Sequence, residues 1–112
     1  MKIILPLPPT DNHCYGQRGK IRFMYQEAKD WKENAWLILK SKYRGEIIDG
    51  DVIIGEITFY LKRRRDIQGS LKLLFDAMEG IFYRNDQQVA QFGPVIRKSD
   101  KSNPRIEAEI IN

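Results

Sequence analysis

Lys62-Arg63-Arg64-Arg65 runs directly into Asp66, and Lys72 follows six residues later. Gathering four cations is costly unless a polyanion neutralises them, and a nucleic-acid backbone is such a partner. A carboxylate beside phosphate-binding cations repels phosphate, so Asp66 points to a cation between the two, most simply a metal ion. Gln68, Lys72 and Asp76 are spaced i, i+4, i+8 and would share one stripe of a helix. Asp66 would lie just before that helix, near the positive end of its dipole. Asp86 follows after a short connection; if the chain doubles back, it approaches Asp66 and Lys72 at one edge of a sheet. Two carboxylates and a lysine are the parts needed for magnesium-dependent phosphodiester cleavage. Carboxylate oxygens suit a hard cation that keeps waters and accepts phosphate oxygens. Lys72 would stabilise charge on the pentavalent phosphorus. Lys62, Arg63, Arg64 and Arg65 would hold the substrate backbone.

Each part also has an ordinary reading. Asp66 would serve equally as a helix cap. Lys72 with Asp76 makes a surface ion pair, Asn85-Asp86 is a turn signal, and the basic run would suit a solvated loop. The chemical reading rests on their conjunction.

The elements that must position these residues are legible from periodicity. Residues 2–7 read as a strand ended by Pro6, Pro8 and Pro9, with a polar loop over 10–20 and a short extended piece at 21–25. Residues 26–43 read as a helix, with Ala28, Trp31, Ala35, Ile38 and Leu39 at helical spacing. Residues 52–61 form the clearest strand, with Ile53, Ile57, Phe59 and Leu61 on one side and Glu56, Thr58 and Tyr60 on the other. A second helix spans 68–80, with Leu71, Leu74, Phe75 and Met78 facing the core and Gly80 as its stop. Residues 88–98, interrupted at Gly93-Pro94, and 105–111, with Ile106, Ala108 and Ile110 inward, read as the last strands. The expectation is an α+β domain spanning residues 1–112, a small mixed sheet of about four strands with two helices on one face.

Composition is consistent with this. The apolar fraction is 42% and the net charge is +4 over 112 residues, which suits a globular domain with a core. One cysteine, Cys14, excludes an intrachain disulfide, and one histidine, His13, leaves too few ligands for a Cys/His zinc site. No stretch reaches the roughly 20 apolar residues of a membrane span. The opening Met1 to Pro6 is too short an apolar run for a signal peptide. A cytoplasmic protein is expected.

The motif order is similar to that of a known family. Arg65-Asp66-Ile67-Gln68-Gly69-Ser70-Leu71-Lys72, then Leu73-Leu74-Phe75-Asp76-Ala77-Met78-Glu79-Gly80, then Asn85-Asp86-Gln87-Gln88-Val89 resembles the core of the RusA-type Holliday-junction resolvases. That family's pattern is basic-Asp-x-Asp-Asn-x-x-Lys, an apolar helix containing Asp-Ala, and Asp-Asp-x-Gln-Val. Leu5-Pro6-Leu7-Pro8-Pro9-Thr10-Asp11-Asn12 is similar to its N-terminal Pro-Pro-Ser-x-Asn segment. The resemblance implies a homodimeric Mg²⁺-dependent endonuclease, with Mn²⁺ as a substitute, that resolves four-way junction DNA by symmetric nicks in recombination and repair. It implies a bacterial or phage-encoded protein. It maps catalytic, metal-binding roles onto Asp66 and Asp86, the essential lysine onto Lys72, and the preceding basic residue onto Arg65. The family's second aspartate falls on Gln68, its asparagine on Gly69, and the first aspartate of the later pair on Asn85. Gln68 adds no negative charge. The alternative is therefore a branched-DNA-binding protein of the same fold with impaired turnover. A small basic module unrelated to DNA is a third reading.

Overall fold

The computed structural model describes residues 1–111. The fold is α+β and is organised around its longest strand, β4 (Val52–Leu61). β7 (Arg105–Ile110) pairs antiparallel with β4, and β1 (Lys2–Leu5) pairs antiparallel with β7. The other edge of β4 carries β5 (Val89–Gln91) and β6 (Val95–Ser99) end to end, both parallel to it. The expected strand over 88–98 is thus two short strands broken at Gly93-Pro94.

Two helices complete the layer. α1 (Gln26–Lys42) buries Ala28, Trp31, Ala35 and Leu39, and the Trp31 indole N–H donates to the Pro6 carbonyl at 3.0 Å. α2 (Gln68–Met78) buries Ser70, Leu73, Leu74, Ala77 and Met78. These residues join Ile3, Leu5, Ile54, Ile57, Phe59, Leu61, Ile106, Ala108 and Ile110 in one apolar cluster, so both helices cover the same face of the sheet. No helix among the described residues is long and apolar enough to cross a membrane.

Three details depart from the sequence reading. In β4 the buried apolar residues are Val52 and Ile54, then Ile57, Phe59 and Leu61; Ile53 is not in the core. The cause is a bulge. Ile54 pairs with Ile110 and Ile57 with Ala108, so β4 carries one extra residue there and the inward set changes parity. In α2 the core stripe is rotated, with Leu71 and Phe75 only half-buried, while Leu73 and Ala77 are fully buried. Ser70 helps fix that rotation, because its hydroxyl donates to the Pro9 carbonyl and its amide to Asp11 Oδ1, each at 3.3 Å. Finally, the expected polar loop contains half of a hairpin, β2 (Tyr15–Arg18) and β3 (Ile21–Met24). Arg18 pairs with Ile21 across a two-residue turn, and Gly19 takes φ +63° there, a conformation that favours glycine.

The uncovered sheet face is polar and tied by charge. Glu107 accepts from Lys2 and from Arg105 Nε, both at 2.6 Å, and Arg105 Nη1 donates to Asp100 Oδ2 at 2.8 Å. The Arg105 guanidinium also lies 3.8 Å above the Tyr60 ring. The hydrogen bond from Lys2, then that from Arg105, holds the Glu107 carboxyl below its usual range. Asp100 is lowered first by Arg105, then by Ser102 and the Asn103 amide. Carboxylates with depressed pKa stabilise the fold only while ionised; their contribution is complete above the ordinary carboxylate range and is lost as pH falls through the folded values. The urea midpoint is therefore expected to fall on acidification below about pH 4, and to fall less steeply in Arg105→Gln. Identical acid sensitivity in both proteins would remove this network as the cause.

Candidate active site

The site is built where α2 ends. Gly80 takes φ +80°, and the amides of Ile81 and Phe82 both reach back to the Met78 carbonyl at 3.1 Å. Ile81, Phe82 and Tyr83 are buried, and the Tyr83 hydroxyl donates to the Phe75 carbonyl at 2.6 Å. The chain is thereby folded back along the helix. Asn85 then caps a short 3-10 turn over Asp86–Gln88, accepting the Gln87 amide at 2.8 Å. The Gln88 amide group donates to the Ile48 and Gly50 carbonyls, each at 2.8 Å, and pins the turn.

This reversal brings three carboxylates together. Oxygens of Asp76, Glu79 and Asp86 all lie within 4.8 Å of one another. The Asp86 amide donates to Glu79 Oε1 at 3.1 Å. Lys72 Nζ stands 3.6 Å from Asp76 Oδ1 and 4.0 Å from Asp86 Oδ2. Asp76 is the most shielded of the three charged partners, with 16% of its side chain exposed against 33% for Asp86 and 51% for Lys72, so the ammonium faces outward. Tyr15, at the start of β2, donates its hydroxyl to Asp76 Oδ2 at 2.7 Å, and its ring lies 5.8 Å from Lys72 Nζ. Burial, then the bond to Asp76, pushes the Tyr15 hydroxyl pKa far up, so it remains a donor. Beside Asp76 and Glu79 opens a groove of about 560 Å³ between the helices, lined also by Met24, Lys29, Lys32, Glu33 and Trp36.

The predicted residues separate into groups. Lys72 and Asp86 come together, as the doubling-back requires. Asp66 is exposed on the loop before α2 and is not one of the three clustered carboxylates; Gln68 is exposed as the first residue of α2. Asp66 is not the helix cap. The N-cap is Ile67, without a side-chain cap, and Asp11 accepts the Ser70 amide from the N-terminal loop. Lys62, Arg63 and Arg64 are exposed and, with Leu61, Arg97, Lys98 and Ser99, line a groove of about 330 Å³. Arg65 is turned to a structural contact: half-buried, it donates from Nη2 to the Pro8 carbonyl at 2.8 Å. Burial lowers its pKa.

Four residues escaped sequence reasoning. Glu79 lies i+3 from Asp76, which was a usable signal. Tyr15 was hidden by missing the hairpin, although Gly19-Lys20 between polar-apolar segments is a two-residue turn signal. Arg97 and Lys98 depend on strand pairing, which has no local mark.

The sequence pattern of the family Endodeoxyribonuclease RusA matches residues 6–111, and the chain belongs to that family. It is also similar to the Crossover junction endodeoxyribonuclease RusA of Aquifex aeolicus (strain VF5), with 32% identity over 77 residues, 67% of this chain. The matched segment spans 60% of that relative's length.

Tyr15→Phe tests the internal support of the cluster. It removes one donor to a shielded carboxylate and is expected to cost on the order of 1–2 kcal/mol in urea denaturation. A variant as stable as the parent would show that the hydroxyl does not hold Asp76.

Proposed function

We propose that the chain is a divalent-metal-dependent endonuclease acting on four-way (Holliday) junction DNA. The observation that carries this is Lys72 held against Asp76 and Asp86 beside Glu79, in a member of an endodeoxyribonuclease family. The donor set fits Mg²⁺ or Mn²⁺. It is all carboxylate, its oxygens are close, and Asp76 and Glu79 lie at the negative end of α2, whose last turn has no basic residue. Asp86, Asp76 and Glu79 would hold the ion, and the resemblance adds Asp66 from the loop before α2. A bound divalent ion activates water and polarises the phosphodiester.

The remaining work falls to the chain's own groups. Lys72 presents an outward ammonium to the charge that develops on phosphorus. Tyr15 holds Asp76, and Asp76 holds Lys72. Lys62, Arg63 and Arg64 bind the backbone; Arg65 stiffens the loop that carries them. Paired nicks need two sites related by symmetry, which a homodimer supplies. A cytoplasmic location suits that substrate.

A second reading is favoured by one residue. Gln68 stands neutral and exposed where the family pattern has an aspartate, which supports junction binding without turnover. Cleavage of a labelled junction in Mg²⁺ and in Mn²⁺ separates the two. Under the enzyme reading the parent nicks the junction. Lys72→Ala loses about 10²–10³-fold in rate, and Asp86→Asn loses cleavage and calorimetric metal binding while still binding junction in EDTA. Comparing metal affinity in Asp66→Asn and Glu79→Gln assigns the remaining ligand. Cleavage gained only on Gln68→Asp would establish the binding reading, and no cleavage in either protein would end the enzyme reading.

A further inference from the structure

We infer that β6 and the loop leaving β4 form a separate backbone-binding groove for duplex DNA, with Arg97 and Lys98 as two of its contacts. The inference rests on the nucleic-acid reading above and extends it to a surface away from the carboxylate cluster.

Pairing builds the groove. β6 runs parallel to β4 with Phe59 opposite Arg97, Tyr60 opposite Lys98 and Leu61 opposite Ser99. Where β4 leaves the sheet, its continuation Lys62-Arg63-Arg64 therefore meets the end of β6. Five cationic side chains from two segments distant in sequence line one groove of about 330 Å³ with no carboxylate among its lining residues. Among the described residues none of the five is ion-paired; Arg97 Nη1 donates only to the Arg65 carbonyl, at 3.1 Å. The cations of the open sheet face behave otherwise, since Lys2 and Arg105 both pair with Glu107. Five unpaired like charges repel one another, and this arrangement is stable at low cost only against a polyanion. The open edge of β6, paired on one side only, adds backbone amides that can reach phosphate.

The geometry selects an extended backbone over a lone phosphate. Five monovalent cations exceed the charge of one phosphate group, and an open groove lets a strand run through it. The groove adjoins the N-terminal end of α2, through the bond from Arg97 to Arg65, whereas Asp76 and Glu79 stand at the other end. α2 has 11 residues, roughly 16 Å of helix. The strand held in the groove therefore lies beyond the N-terminal end of α2, while Asp76 and Glu79 stand at its C-terminal end, and the groove grips DNA that flanks the site.

The test is salt-dependent binding of a fluorescein-labelled four-way junction, and of a duplex with the sequence of one arm, in EDTA by anisotropy. Each lost phosphate contact makes the slope of log K against log salt shallower by about one. Arg97→Ala and Lys98→Ala are each expected to do this, and the double variant by about two. Between 50 and 200 mM salt the parent should then lose about tenfold more affinity than the double variant. Lys98→Ala guards against misfolding, since among the described residues its side chain makes no ion pair. Lys40→Ala with Lys42→Ala removes the same charge from α1 and should leave the slope unchanged. An unaltered slope in the β6 variants, an equal change in the α1 control, or no binding by the parent would each overturn the groove. Slope-dependent binding in a protein that never cleaves would uphold the groove and defeat only the nuclease reading.

Discussion

Burial of Ile81, Phe82 and Tyr83 forces the chain to turn back on α2 as soon as the helix ends, and the candidate site depends on that turn. Three consecutive buried side chains cannot continue along a helix whose opposite face is wet. Gly80 supplies the left-handed residue that lets them swing under it. The Tyr83 hydroxyl then reaches a carbonyl of the helix it has just left, and the short turn after it delivers Asp86 to Lys72. Asn85 belongs to this machinery. Its side chain is consumed in capping, so the asparagine in place of the family's aspartate preserves the turn that aims its neighbour.

The charges at the C-terminal end of α2 are arranged against the stability of the helix. Carboxylates favour the positive N-terminal end of a helix and cations the negative C-terminal end. Here the first turn has no acid and the last turn no base. Cations crowd the loop before the helix, and Asp76, Glu79 and Asp86 crowd its end. Lys72 offsets part of that negative field, and Tyr15 contributes a donor but no charge. At the N-terminus the Asp11 carboxylate, accepting the Ser70 amide, answers the dipole; the acid-crowded C-terminal end is unfavourable in the free chain and becomes favourable when a cation meets it. A divalent ion is such a cation, which ties the electrostatics to the function proposed.

Local patterns carried most of the fold. The two helices, β4, β7 and the stop at Gly80 all show in periodicity and punctuation, because each is set by which face of one segment is wet. The errors fall where a neighbour decides. The parity change in β4 comes from its register against β7 and leaves Gly55-Glu56 looking like ordinary strand. The rotation of α2 by about one residue follows from Ser70 being claimed by Pro9 and Asp11, more than fifty residues earlier. Of the site, Lys72 and Asp86 were legible from spacing and resemblance. Tyr15 was not, because its role exists only once the hairpin lies beside α2. Arg65 illustrates the reverse case. Four adjacent cations look equivalent in sequence, yet one is withdrawn to brace Pro8 while the other three reach solvent.

Gln68 can be weighed on the same physical scale. It is the first residue of α2, where a carboxylate would gain about 0.3–1 kcal/mol from the helix dipole. Helix energetics therefore do not explain a neutral amide there. Its effect is to leave Asp66 as the one acid along the sequence from Lys62 to Lys72, with Asp11 the carboxylate bonded at the first turn, while three carboxylates gather at the far end of the helix. A bound strand passing along α2 would travel from a field of cations to one of carboxylates. Lys72 is the ammonium within ion-pair distance of that cluster among the described residues. Under the function proposed, an outward lysine at that boundary would lower the repulsion a phosphate meets on approach, with Asp76, itself bonded by Tyr15, holding the ammonium beside the cluster.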